Sequence, residues 1–141
     1  MNTKFWADIH GGTTHFPIAL LIASFVFDAV AYAVNRDPVR RDLHAASFYA
    51  LLLGALGSFA AVLSGLIISR WEVFGGGQLG LHHRYVWPAF ALIVGLAVWR
   101  LTVRERASRP AFGVYLVVTL LAAVAMAAAG YWGGEMLQGG G

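Results

Sequence analysis

The stretch HGGTTHFPIALLIASFVFDAV, His10 to Val30, decides how the chain is read. Two histidines, His10 and His15, frame a short polar opening, and a long apolar run follows in which Asp28 is the one charged residue. A helix needs about 20 mostly apolar residues to cross a bilayer core. This run exceeds the ~7–15 apolar residues of a cleavable signal, and the acid inside it argues the same way. It reads as a retained transmembrane helix.

Working outward, three further runs have the same character. The four spans are expected at about 15–34, 45–68, 85–101 and 111–132. Together they use nearly all of a 141-residue chain that is 59% hydrophobic and 12% charged. The expected fold class is all-α, a four-transmembrane-helix bundle forming one membrane domain over residues 1–141, with no separate soluble domain. Any chemistry must then lie inside the bundle or at its ends. The chain has no cysteine, which excludes disulfides, thiolate-held zinc, iron–sulfur clusters and c-type haem attachment. Histidine is left as the main ligand type.

Basic residues set the expected orientation. Arg36, Arg40 and Arg41 fall in the first connection, and Arg100, Arg104, Arg106 and Arg109 in the third. Lys4, Arg70 and Arg84 are the basic residues of the other side. The imbalance puts the first and third connections in the cytoplasm and both termini outside. Trp6, Trp71, Tyr85, Trp87, Tyr131 and Trp132 would mark the outer boundary. The net charge of +3 is then a property of the inner loops, and no nucleic-acid partner is implied. Thr13 or Thr14 is expected to cap the first helix, with Pro17 in its first turn, and Asp42 to cap the second. Gly75 to Gly80 breaks the chain before the third helix, and Gly139 to Gly141 reads as a flexible tail.

Four of the five histidines converge on one side. His10 and His15 open the first helix, His82 and His83 the third, and His44 lies at the opposite face. His15 tops an apolar stripe of Ile18, Ala19, Ile22 and Val26, and His83 tops one of Val86, Trp87, Phe90 and Val94. Two imidazoles from two helices above apolar walls can occupy both axial positions of a haem iron. Gly54, Gly57, Ser58, Ala61 and Gly65 on the second helix, with Ala122, Ala123, Ala127 and Gly130 on the fourth, keep backbones thin enough for a macrocycle. Plain helix packing explains the same small residues, and an interfacial polar role explains any single histidine. An internal echo sets His15 and Pro17 against His83 and Pro88, as a duplicated two-helix hairpin would. Pro88 has no amide to offer the carbonyl of Arg84, so the third helix is expected to bend or begin there.

The opening IHGGTTHFPIALLIASFVFD, the segment GLHHRYVWPAFALIVGLAVWRL and the ending AAGYWGGEMLQGGG resemble the bacterial membrane family catalogued as domain of unknown function 2231. The likeness covers almost the full chain. It includes the four-helix layout, the His-x4-His-Phe-Pro-Ile opening, a histidine opening helix three and a Gly-Gly-Glu ending. Register against Trp99 and Arg100 makes His83, rather than its neighbour His82, the matching histidine. The ending departs from the family pattern after Glu135. The resemblance implies a layout like that of small b-type cytochromes. It also implies a redox setting in the bacterial inner membrane, since members occur joined to Rieske or c-type cytochrome modules.

The expected function is membrane electron transfer, with one haem b held near the periplasmic face by His15 and His83. His82 is the alternative to His83. Arg84 can pair with a haem propionate through a two-pronged hydrogen bond, and His10 or Glu135 can orient an axial imidazole. A quinone, other redox subunits or a periplasmic cytochrome are the expected partners, besides the lipid bilayer. Two alternatives stay open. His10, His15, His82 or His83 and Glu135 can gather copper or zinc, and a cofactor-free accessory subunit has the same overall form. At the inner face, Asp28 reads most simply as an interfacial acid paired with Arg36, Arg40 or Arg41, and His44 as an interfacial residue near the start of helix two.

Overall fold

A computed structural model describes residues 3–34, 36–103 and 106–138. The expected glycine tail, Gly139 to Gly141, and the loop residue Arg104 lie outside them. Four helices, α1 (Thr3–Ala33), α2 (Asp37–Ile68), α3 (Gly77–Val103) and α4 (Arg109–Gln138), make up the fold. Each is long and apolar enough to cross a membrane, and the described residues contain no strand. The protein is a four-helix multi-pass membrane bundle whose outer surface meets lipid. Leu56, Leu63, Val114, Val117 and Val124 are among the large apolar side chains exposed to it.

The helices run further than their apolar cores alone suggest. Thr13 and Thr14 do not cap α1 but lie inside it. Their hydroxyls turn back on the helix, Thr13 Oγ1 donating to the Ile9 carbonyl at 2.8 Å and Thr14 Oγ1 to the Gly11 carbonyl at 3.0 Å. A hydroxyl bonded back in this way is unavailable as a cap. Pro17 is accordingly an interior residue of α1, and Pro88 an interior residue of α3, which begins at Gly77. α2 begins at Asp37 rather than at Asp42, with proline in its first turn, where a missing amide costs nothing. After α2 the chain reverses through Arg70 (φ 54°) and Trp71 (φ 66°), a left-handed ending that glycine usually supplies. The Trp71 amide closes it by donating to the Leu66 carbonyl at 2.8 Å. Trp87 Nε1 then donates to the Val73 carbonyl at 2.8 Å, fastening this connection to α3.

α1 packs mainly on α2 and α3 mainly on α4, so the bundle is two hairpins side by side. The contacts of α1 with α4 and of α2 with α3 join them, and α1 and α3 face each other across a diagonal. Leu21, Leu51, Ile93 and Ala122 form the fully covered centre. Gly54 lets α2 come close. A Cβ there would stand 3.3 Å from Leu20 Cβ and 3.5 Å from Ile93 Cδ1.

The burial pattern repeats between the hairpins. Laying α1 on α3 so that His10 meets His82 matches Pro17 with Ala89, Leu21 with Ile93, Ser24 with Leu96 and Asp28 with Arg100. The last four pairs are buried at both positions. Laying α2 on α4 so that Ala61 meets Ala129 matches Ser47 with Tyr115, Leu51 with Thr119, Gly54 with Ala122 and Ser58 with Met126, again buried at both positions. In this register His15 falls opposite Trp87 and Pro17 opposite Ala89, so the correspondence lies in the spacing of buried positions along both helices of each hairpin and not in the His15–His83 match.

Gly54→Leu should destabilise the bundle by about 1–3 kcal/mol, the ordinary cost of overfilling a packed interior. A Cβ at Gly95 would meet no atom within 4 Å, so Gly95→Ala should leave the midpoint of thermal unfolding in detergent unchanged.

Candidate functional site

Two imidazoles meet at one end of the bundle because α1 and α3 each carry a histidine toward the diagonal. The His10 and His82 rings have centres 6.5 Å apart with planes at 83°. Each ring is anchored to the partner helix of its own hairpin. His10 Nδ1 lies 3.0 Å from the Ala61 carbonyl and 3.0 Å from Ser64 Oγ, while His82 Nδ1 lies 2.8 Å from the Ala129 carbonyl. A carbonyl only accepts, so both Nδ1 atoms carry the hydrogen, and in the neutral ring Nε2 keeps its lone pair.

Glycine one turn beyond each carbonyl makes room for the ring. A Cβ on Gly65 would stand 3.0 Å from His10 Cε1, and one on Gly133 would stand 3.2 Å from His82 Cε1. Ala61 with Gly65, and Ala129 with Gly133, therefore form two equivalent cradles. The other small residues divide between roles. Gly54 and Gly57 admit Pro17, Leu20 and Phe16 of α1, and Gly130 admits Ile18, which is helix packing.

A cavity of about 710 Å³ opens between the helices here, and His10, His15, His82 and His83 all line it. Small-molecule and cofactor sites commonly span about 300–1,000 Å³. The rest of the wall is mainly apolar, with Ile18, Val62, Val86, Phe90 and Met126 among its residues. His83 is 8% exposed, and its Nδ1 is buried without a hydrogen-bond partner. Its ring lies 5.8 Å from that of His82 and 6.0 Å from that of Trp87. His15 lines the cavity from an exposed position on α1. Arg84 and Glu135 are exposed and are not among the lining residues. Among the described residues, no group of three or more His, Cys, Asp or Glu side chains is placed to hold a metal ion.

The opposite end holds a second polar cluster that reading the sequence alone did not assemble. Asp28 is fully buried, and it does not reach Arg36, Arg40 or Arg41, which stand exposed beside the start of α2. Its partner is Arg100, counted from sequence as a loop charge but 5% exposed inside α3. Arg100 Nη2 donates to Asp28 Oδ1 at 3.1 Å and to the His44 carbonyl at 3.2 Å. His44 Nδ1 lies 2.7 Å from Asp28 Oδ1, and Ser47 Oγ donates to Asp28 Oδ2. The Arg100 guanidinium sits over the rings of Phe112 and Tyr115, 5.3 Å from each centre. His44 is thus a hydrogen-bonded member of the cluster, its side chain 28% exposed.

A family model described as predicted membrane protein (DUF2231) matches residues 7–141. The chain belongs to that family. The DUF2231 match takes in both histidine cradles and the buried acid–base cluster. No curated protein and no solved structure matches the chain.

Gly65→Leu and Gly133→Leu should each push an imidazole off its carbonyl. The loss of one such hydrogen bond is worth about 0.5–1.5 kcal/mol, read as a lower unfolding midpoint in detergent. The Nδ1 resonance of the displaced histidine, in ¹⁵N-histidine-labelled protein, should move as its hydrogen bond disappears.

Proposed function

We propose that the histidine cavity binds haem b and that the protein passes electrons at one face of the bacterial inner membrane. The observation that carries this reading is the pair of cradled imidazoles. Their Nδ1–H groups are spent on backbone carbonyls, which is the arrangement that orients a metal-binding histidine and leaves Nε2 for the metal. Two imidazoles that share one metal at bonds of about 2 Å have ring centres roughly 6 Å apart, comparable with the 6.5 Å between His10 and His82. The mainly apolar wall suits a macrocycle, and the unpartnered Nδ1 of His83 is a polar atom that a bound group would satisfy.

The same geometry favours His10 and His82 over His15 and His83 as the residues that would hold the iron. His15 and His83 then serve as wall residues, the His83 ring 5.8 Å from that of His82 and 6.0 Å from that of Trp87. Haem suits a two-histidine set better than copper or zinc does. A bare ion at such a site draws three or four protein ligands, and no such group is assembled among the described residues. When bound, the haem would supply a one-electron couple, with His10 and His82 as the residues that would hold its iron. The protein holds the imidazoles at fixed separation and keeps water from the apolar wall. Excess arginine in the first and third connections supports an orientation with both termini and the cavity toward the periplasm. A quinone in the membrane, another redox subunit or a periplasmic cytochrome is then the electron partner.

The visible spectrum of protein purified in detergent from haem-supplied cells tests the reading. A reduced b-type α band is expected, lost in His10→Ala and His82→Ala and kept in His15→Ala. A band lost only in His15→Ala and His83→Ala would transfer the ligand role to that pair. Colourless protein would sink the haem reading, with bound copper or zinc then favouring a metal site and neither favouring an accessory subunit.

A further inference from the structure

The side chains of α1 and α3 meet across the diagonal at two places, and the spacing between those places is the same on both helices. His10 and Asp28 are eighteen residues apart on α1, as are His82 and Arg100 on α3. At about 3.6 residues per turn this is five whole turns, so each helix presents its histidine and its charge on one face. Five turns rise about 27 Å, close to the ~30 Å of a bilayer core.

We propose that the Asp28–Arg100 ion pair is a positioning device for the histidine pair, holding α1 and α3 at a common height so that the two imidazoles face each other. The idea rests on the reading of His10 and His82 as the ligand pair. Arg100 makes two side-chain hydrogen bonds that join the hairpins, one to Asp28 and one to the His44 carbonyl. Each charge is also tied to its own hairpin. Ser47 and His44 of α2 hold the carboxylate, and Phe112 and Tyr115 of α4 cover the guanidinium. The bond between them therefore registers hairpin against hairpin rather than side chain against side chain. A slip of one turn would carry an imidazole about 5.4 Å along the axis, more than a metal–nitrogen bond of about 2 Å can absorb. Both groups are buried, so little water competes for either.

The chain lacks cysteine, so Ala7→Cys and Leu79→Cys place a spin-label pair one turn outside His10 and His82. Pulsed electron paramagnetic resonance in liposomes then reads the α1–α3 distance without relying on a cofactor. A single narrow distribution is expected in the parent. It should broaden or shift with Arg100→Gln and with Asp28→Asn, and sharpen again with Arg100→Lys. The unlabelled variants should follow the same order in the amplitude of the low-spin haem signal. The double variant Asp28→Asn with Arg100→Gln buries no charge and keeps the test open if a single variant does not fold; it too should broaden. Unchanged distances in folded variants would overturn the proposal, and a haem band persisting in them would leave the haem reading standing. Distances that respond while the parent protein itself is colourless would support the positioning role and remove the haem reading.

Discussion

A carboxylate and a guanidinium sealed between four membrane helices place a demand on everything around them. Neither can be left alone, because removing an ion from water costs several kcal/mol that only a partner in good geometry offsets. The bundle meets the demand from all sides. Asp28 receives hydrogen bonds from α2 and α3, and Arg100 is covered by two aromatic faces of α4. Helices that would otherwise pack through small residues at many alternative heights acquire one height at which the charges meet. Apolar packing in a membrane distinguishes such heights poorly, since lipid tails compete with side chains on nearly equal terms.

The repeat between the hairpins explains why the two ends differ. If equivalent positions carried identical residues, the diagonal would bring like groups together at both ends. At the cavity this is what happens, and it is tolerated because neutral imidazoles carry no charge to repel. At the other end two like charges would oppose each other in a medium with little screening. The equivalent positions there hold an acid and a base, and their neighbours differ to match. The positions that match across the repeat, His44 with Phe112 and Ser47 with Tyr115, supply hydrogen-bonding groups around the carboxylate and ring faces around the guanidinium. The same backbone thus serves both charges, with the chemistry of the lining changed to suit each.

How much of this is legible in the sequence depends on the range of the interaction concerned. Composition and run length reveal four helices because the bilayer imposes length and apolarity on each segment separately. The gathering of His10, His15, His82 and His83 at one end follows from counting crossings, so the cavity wall was accessible too. The helix starts were not, since Thr13, Thr14 and Asp42 look like caps until the hydroxyls are seen to bond within α1 and Asp37 to lie at the start of α2. Arg100 was hidden for a related reason. It stands near the arginine-rich connection, and only the three-dimensional path of α3 shows that its face is the buried one. The signal that would have found it is the equal spacing from His10 to Asp28 and from His82 to Arg100.

That spacing also bears on why the glycines lie where they do. A histidine facing the diagonal needs its ring held away from the axis of its own helix, and the carbonyl of a neighbouring helix is the nearest strong acceptor within an apolar wall. An amide carbonyl in a helix already accepts one bond, and its second lone pair is reachable only if the next turn is thin. Gly65 and Gly133 provide that thinness one turn beyond Ala61 and Ala129. Larger residues at those two positions would preserve four good membrane helices and lose the orientation of both rings. Selection for helix packing alone accounts for Gly54 and Gly57; the matched placement of Gly65 and Gly133 opposite the two imidazoles follows from the histidines.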